Sequence, residues 1–138
     1  MSHNVLTSIE PGAFHCRLGK LHSLDLSHNQ LTSLEANVLH GLTALRLLNA
    51  SHNNLNAISD ELAHLANVTI LDLSHNTFTG FDRGVIEQIP HLERLLLHHN
   101  QLRHVPKSIK QLENLTQVTL YNNPIRCTCT DAWLRHWL

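Results

Sequence analysis

Residues 68–78 read VTILDLSHNTF, and this stretch carries the pattern that decides the fold. In the segment Leu71-Asp72-Leu73 the side chains alternate between two faces, as in a β-strand, so the leucines point inward and the aspartate outward. Asn76 then predicts a turn, because its side-chain amide can donate and accept hydrogen bonds with the backbone of its own and the adjacent coil. One such unit cannot bury its apolar edge by itself.

The same frame occurs five times, and successive asparagines lie 23 or 24 residues apart. The other copies are LHSLDLSHNQL at 21–31, LRLLNASHNNL at 45–55, LERLLLHHNQL at 92–102 and LTQVTLYNNPI at 115–125. Asn4, Leu6 and Ile9 form the tail of a further, partial copy. Stacked copies bury their apolar edges together, which predicts a solenoid with a parallel sheet inside and irregular or short helical segments outside.

These five stretches resemble the leucine-rich repeat family, and the resemblance covers essentially the whole chain. The outer segment TSIEPGAF, at 7–14, is similar to that of extracellular members. The resemblance implies an α/β solenoid, a curved repeat array with a parallel β-sheet on its concave face and irregular or short helical segments on its convex face. We expect a partial repeat at 1–20, about five repeats of 23–24 residues at 21–126, and the start of a cap at 127–138.

The C-terminal residues resemble the start of the cysteine-rich cap that closes extracellular leucine-rich repeat arrays. They read NPIRCTC at 123–129, and the apolar side chains that follow fall on one helical face: Trp133, Leu134, Trp137 and Leu138. The resemblance implies that Cys127 and Cys129 form disulfides with cysteines further along a longer protein, and a reduced or metal-binding pair is the alternative. Cys16, on an outer segment, is expected to be a buried free thiol.

Composition and charge exclude several classes of function. The 10 basic and 11 acidic side chains nearly balance, so nothing favours a nucleic-acid or membrane-surface partner. No apolar run approaches the roughly 18 residues that cross a bilayer. The sequence has no glycine-rich phosphate loop and no zinc-ligand spacing, and its Ser-His pairs recur in register, which indicates a role in the coil. We therefore expect no enzymatic activity, no cofactor and no metal site.

Three glycosylation sequons favour an extracellular or cell-surface location, as does the likeness to the cysteine-rich cap. They begin at Asn49, Asn67 and Asn114. Asn67 and Asn114 each precede the first apolar position of a repeat, on one edge of the stack, where a glycan can project freely. Asn49 lies on the inner sheet, and a glycan there would obstruct the concave face, so this sequon is the least favoured.

Histidine stands immediately before the repeat asparagine in several coils: His3, His28, His52, His75 and His99. Because neighbouring strands lie about 4.8 Å apart, these side chains are expected to form a column along one rim. The column has three interpretations. The histidine can simply be a frequent residue in this turn, with no further role; alternatively, the column is a pH sensor or a zinc site. It contains no carboxylate or thiolate to complete a zinc site.

The outward side chains of the inner sheet form three columns that are free to suit a partner. The columns are Ser23, Leu47, Ile70, Arg94 and Gln117; Asp25, Asn49, Asp72, Leu96 and Thr119; and Ser27, Ser51, Ser74, His98 and Tyr121. Exposed apolar patches, aromatic rings and arginine are typical of protein interfaces. The residues with these properties form the predicted partner-binding site: Leu47, Ile70, Arg94, Leu96, His98 and Tyr121. Tolerated variation without a partner is the alternative.

Together these features predict a non-catalytic protein-binding module, part of a secreted or cell-surface leucine-rich repeat ectodomain. Its concave sheet is expected to bind a protein or another macromolecule. An innate-immune or adhesion-type receptor is favoured, and the alternatives are a structural extracellular-matrix protein and, less favoured, an intracellular scaffold. Because the end coils lack complete caps, we also expect marginal stability and self-association through those coils.

Overall fold

The chain winds into coils that each contribute one short strand to a shared inner sheet. The computed structural model describes residues 1–14, 19–58, 65–81, 84–105, 107–126, 128 and 133. In chain order the strands are β1 (Ser23–Asp25), β2 (Ser33–Leu34), β3 (Leu47–Asn49), β4 (Ala57–Ile58), β5 (Ile70–Asp72), β6 (Arg94–Leu96) and β7 (Gln117–Thr119). The inner sheet is five-stranded and parallel, in the order β1-β3-β5-β6-β7. This architecture confirms the predicted α/β solenoid.

Equivalent residues of successive repeats lie side by side in the inner sheet. The strand centres are paired in the order Leu24, Leu48, Leu71, Leu95 and Val118. The pairing therefore follows the register that the spacing of the asparagines predicts. A shift by one residue would turn every inward leucine toward solvent, so the apolar pattern fixes this register.

The outer side of the coils is built from short elements joined by turns. Strands β2 and β4 pair as a second parallel sheet through Leu34 and Ile58. Helix α1 spans Ala36–Leu39, and 3-10 helices span Ile86–Gln88 and Lys107–Gln111. The repeat pattern does not predict the second sheet, although its two apolar residues hold the same repeat position, five residues after the asparagine. Within the described ranges, no helix has the length and apolar character needed to cross a membrane.

The core is a continuous column of apolar side chains between the inner sheet and the outer elements. The inward residues of the middle strands, Leu48, Leu71 and Leu95, are sealed from solvent. Phe78 is fully buried where other coils have leucine or isoleucine, and its ring lies 5.2 Å from that of Phe81. Because full burial of such a side chain contributes roughly 1.5–3 kcal/mol, this shared interior is the main force that holds the coils together.

The repeat asparagine has its predicted role as a link between coils. Asn76 accepts a hydrogen bond at Oδ1 from the backbone N–H of Leu55, 2.9 Å away. Its Nδ2 donates to the carbonyl of Ala50 in the preceding coil and to those of Leu73 and Ser74 in its own. Equivalent contacts to both coils are made by Asn29, Asn53, Asn100 and Asn123.

The coils at the two ends of the array are less enclosed than the middle ones. At one end, the backbone N–H of His3 donates to the carbonyl of Ser27, and that of Leu6 to Oδ1 of Asn29. These bonds place residues 3–6 as the tail of a preceding coil, in line with the partial copy in the sequence. At the other end, the apolar residues of the last coil are only partly buried: Leu115, Val118, Leu120 and Ile125.

Little of the predicted cap falls within the described residues, which include Thr128 and Trp133 from this segment. Trp133 is half-buried and packs against the core, with its ring centroid 4.7 Å from Nζ of Lys110. Several residues with predicted roles lie outside the described ranges: Cys16, Cys127, Cys129, Leu134, Trp137 and Leu138. The cap and its disulfides therefore stay predictions.

Candidate binding surface

The solvent face of the inner sheet, which is the predicted concave face, carries the side chains on either side of each buried strand centre. Strand pairing places Leu47 beside Ile70 and Ile70 beside Arg94. In the next column, Asp72 pairs with Leu96. The structure thus brings four of the predicted binding residues together on the three adjacent strands β3, β5 and β6.

Three aliphatic side chains form the apolar part of this face. Leu47, Ile70 and Leu96 are each half-buried, so part of their surface stays in contact with water. A protein partner that covers this surface gains about 25 cal/mol for each Å² of apolar area removed from water. Because the strands are held by hydrogen bonds on both sides, the apolar side chains are presented on a rigid support.

Arg94 and Tyr121 add charge and an aromatic ring at the C-terminal end of the face. Arg94 is exposed, and its Nε donates to Oε1 of Gln117 at 2.8 Å. Tyr121 is 57% exposed, and its ring stacks on that of His98 with a centroid distance of 4.5 Å. His98 in turn lies with Nδ1 2.8 Å from Oγ1 of Thr119. These contacts hold both long side chains in defined orientations.

The prediction of a third outward column is wrong for its serines. Three of these side chains are buried, with exposed fractions of 3–6%: Ser27, Ser51 and Ser74. The backbone N–H and the hydroxyl of Ser74 both donate to Oδ1 of Asp72, at 3.0 and 2.7 Å. This contact holds the small serine against the strand end where the chain turns. His98 and Tyr121 stand at the same repeat position, but their larger side chains extend past the turn into solvent.

The predicted histidine column is present at the rim where the strands end. Its rings stack face to face with centroids 3.9–4.2 Å apart, in the order His3, His28, His52, His75 and His99. We call these five side chains the imidazole column. Each has a φ of 53–56°, the left-handed region in which histidine is enriched among non-glycine residues. Among the described residues, no group of three or more His, Cys, Asp or Glu side chains is placed to hold a metal ion.

Partial burial and neighbouring imidazoles lower the pKa of two members of the imidazole column. For both His52 and His75 burial is the largest cause, and the positive charge of adjacent histidines adds to it. The carboxylate of Asp72 acts in the opposite direction on both. His98 meets His75 edge-on at 5.4 Å, and burial lowers its pKa as well, against the effect of Asp72. At His52 and His75 the surroundings therefore favour the neutral ring.

The other end of the sheet face is polar. Burial raises the pKa of the Asp25 carboxyl, but hydrogen bonds from Ser27 outweigh burial and lower this pKa overall. The backbone N–H of Ser27 donates to Oδ1 of Asp25 at 2.9 Å. The face consequently has an ionised, hydrogen-bonded end at β1 and an apolar, aromatic end with an exposed arginine at β5 to β7.

Two of the three predicted glycosylation asparagines are exposed. Nδ2 of Asn67 donates to the carbonyl of Thr43 at 2.8 Å, and Nδ2 of Asn114 donates to that of Pro90 at 3.1 Å. Each amide has a second N–H, which leaves one for a glycan linkage. Asn49 is half-buried within β3, and its Oδ1 accepts a hydrogen bond from a neighbouring backbone N–H at 3.1 Å. A glycan has space at the first two positions and would cover the sheet face at the third.

Two comparisons with known proteins agree with this fold. The family model described as leucine rich repeat matches three overlapping stretches of the chain, residues 1–55, 51–102 and 66–125. Among curated proteins, Tsukushi from Mus musculus is 49% identical to the chain over 59 residues. The aligned stretch covers 43% of this chain and 16% of Tsukushi, so the chain corresponds to a small part of that relative.

Proposed function

The chain belongs to the leucine-rich repeat family, and from this premise we propose that it is a module that binds another protein through the solvent face of its inner sheet. Proteins of this family generally bind other proteins and are generally not catalysts. The proposed role is therefore recognition without chemistry. The binding residues that we propose are called the sheet patch: Leu47, Ile70, Arg94, Leu96, His98 and Tyr121.

The observation that carries this proposal is the combination of side chains at the C-terminal end of the sheet face. Half-buried aliphatic residues adjoin an exposed, oriented arginine and a largely exposed tyrosine that stacks on a histidine. Tryptophan, tyrosine and arginine dominate binding energy at protein interfaces when apolar contacts around them exclude water. A surface that binds no partner does not require aliphatic residues, an arginine and a tyrosine side by side.

A binding screen tests the proposal directly. The purified chain is presented to an array of purified secreted proteins and cell-surface ectodomains, and the affinity of each interaction is measured by surface plasmon resonance. The double variant Arg94→Ala/Tyr121→Ala should weaken a genuine interaction more than about tenfold, because truncation of a residue that dominates an interface costs about 2 kcal/mol or more.

The matched control removes exposed side chains from the turn that follows Asn100 in the same coil as Arg94. The variant Gln101→Ala/Arg103→Ala removes one positive charge, as the test variant does, and should retain wild-type affinity. Equal affinity of the wild type and the Arg94→Ala/Tyr121→Ala variant for every array partner would contradict the proposed sheet patch.

We also propose that the protein is secreted or displayed on the cell surface. The exposed sequons at Asn67 and Asn114 support this location. When the chain is directed through the secretory pathway of cultured mammalian cells, intact mass spectrometry should detect N-glycans, and Asn67→Gln and Asn114→Gln should each remove one. Asn49→Gln should change the mass by the substitution alone, because a glycan at β3 would cover the sheet. Unglycosylated Asn67 and Asn114 would count against the proposed location.

The proposed organisation is a partial repeat at 1–20, repeats at 21–126 and the start of a cysteine-rich cap at 127–138. The packing of Trp133 on the core supports a cap that begins in this segment. In a longer form of the protein, peptide mapping without reduction should show Cys127 and Cys129 each in a disulfide with a later cysteine. We favour an innate-immune or adhesion receptor over a matrix protein, and a membrane-spanning segment after residue 138 would distinguish the two.

A further inference from the structure

The imidazole column is tied to the backbone of the coils. The backbone N–H of each member donates to a carbonyl of the next coil; His52, for example, donates to Ser74 and His75 to His98. Together with the left-handed φ values, these bonds fix where each side chain leaves the backbone. The centroid spacing of 3.9–4.2 Å therefore follows from the spacing of the coils. As long as the coils stay paired, neighbouring rings remain close to each other.

We infer that the imidazole column makes the repeat array acid-sensitive: neutral rings stack and support adjacent coils, and protonation of neighbouring rings drives them apart and loosens the array. Two positive charges about 4 Å apart repel each other even in water by enough to change an equilibrium about fivefold. At physiological ionic strength the Debye length is about 8 Å, which is longer than the separation of the rings. Salt therefore weakens this repulsion but does not remove it. The inference concerns the stability of the array and does not depend on the proposed partner.

The groups around the column do not neutralise it. The titratable groups that face it are the carboxyls of Asp25 and Asp72, the imidazole of His98, the phenol of Tyr121 and the amino group of Met1. The carboxylate of Asp72 acts to raise the pKa of His52 and His75, and Asp25 lies near His3. Two carboxylates therefore face six imidazoles, since His98 adds a further ring at the side of the column.

The direction of the pH effect follows from proton linkage. The pKa values of His52 and His75 are lowered in the folded chain, by burial first and by neighbouring histidines second. The unfolded chain therefore binds more protons than the folded chain in this range, so stability increases with pH. The contribution of these two histidines to stability is fully present above the ordinary imidazole pKa of 6.5 and is lost as the pH falls from there through their lower folded pKa values.

The chain itself supplies the conservative replacement for a test. Asn122 stands at the column position of the last coil, with a φ of 56°, and its Nδ2 lies 2.9 Å from Nε2 of His99. Asparagine thus adopts the same backbone conformation without a titratable ring. The test variant is His28→Asn/His52→Asn/His75→Asn, which replaces the three inner members of the column. The matched control is His22→Asn/His91→Asn/His104→Asn, which replaces three exposed histidines outside it.

The experiment measures urea-induced unfolding of the full chain at about pH 7.5 and about pH 5.5, on either side of the histidine pKa. Protein is produced without glycosylation, because His75→Asn places an asparagine two residues before Thr77 and completes a sequon. When the pH is lowered from about 7.5 to about 5.5, the unfolding constant of the wild type and that of the control should each increase by more than about fivefold. The increase should be several-fold smaller for the test variant. Equal pH dependence of all three proteins would overturn the inference.

A second measurement stays decisive if the test variant does not fold. In the wild type, NMR titration of the imidazole protons should give curves for the column histidines that extend over a wider pH range than a single independent site, because each protonation opposes the next. The protection factors of the β3 and β5 amides, which correct for the intrinsic pH dependence of exchange, should decrease as the pH falls over the same interval. Simple one-site curves with unchanged protection factors would overturn the inference.

Discussion

Asn76 is the side chain that best shows how one residue joins two coils. It is 7% exposed, and its amide forms hydrogen bonds with one backbone N–H and three backbone carbonyls. A buried polar backbone group without a partner destabilises the folded state by about 1–3 kcal/mol. The asparagine is therefore a structural residue, although asparagine in general belongs on protein surfaces.

The variant Asn76→Ala should lower the free energy of unfolding by about 1–3 kcal/mol, because it leaves the buried N–H of Leu55 without its acceptor. Urea-induced unfolding followed by circular dichroism measures this change. The control Asn54→Ala alters an exposed asparagine near the preceding turn and should change the free energy by less than about 0.5 kcal/mol. Equal effects of the two variants would contradict a bridging role for Asn76.

At the scale of the strand, stability comes from neighbours. Each inner strand has three residues, which is too short to persist alone, and each is fixed by a strand on either side or at the edge by one. Ala50 and Leu73 occupy the same inward repeat position just after β3 and β5, and both are buried. The coils on either side of Ala50 have leucine at this position, and both Leu26 and Leu73 are buried.

Replacement of Leu73 by alanine should therefore be severe. Leu73→Ala places a second alanine next to Ala50, so the cavity is larger than for an isolated truncation, and we expect a loss toward the upper end of about 2–5 kcal/mol. Leu120 holds the same repeat position in the last coil and is only partly buried. Leu120→Ala should cost less than half as much in the same urea experiment. Similar losses for the two variants would show that the coils are equally enclosed.

At the scale of the whole molecule, the described part of the inner sheet ends in an edge strand, β7. In the described chain β7 pairs with β6 on one side, and the apolar residues of its coil are half-exposed. Unpaired strand edges with apolar side chains are sites of association between molecules. The array is also quasi-one-dimensional, so an exposed end coil is stabilised by one neighbour only.

The chain should therefore self-associate as its concentration rises, with an increase in weight-average mass in sedimentation experiments. Val118→Lys places a positive charge on the half-exposed edge and should shift the protein toward the monomer. Gln101→Lys adds the same charge at an exposed position away from this edge and should associate like the wild type. A wild-type chain that stays monomeric at every concentration would contradict this prediction.

The sequence by itself determined the repeat register, the inward leucine column, the asparagine column and the residues that share the first two outward columns. Local alternation of period two and a fixed repeat length are enough for this, because they place equivalent residues on neighbouring strands whatever the details of the turn. The pairing of Leu47, Ile70 and Arg94 could therefore be predicted from the sequence.

Only the tertiary structure decided which outward residues meet solvent and how the rim is built. Ser27 and Ser74 are buried by the turn that follows the strand, and the second sheet at Leu34 and Ile58 depends on how the outer segments of two coils approach each other. The stacking distance of the imidazoles likewise depends on the coil spacing and on the left-handed backbone at each histidine. The second sheet and the stacking of the imidazoles result from contacts between residues more than 20 positions apart, and a pattern read within one repeat contains no information on such contacts.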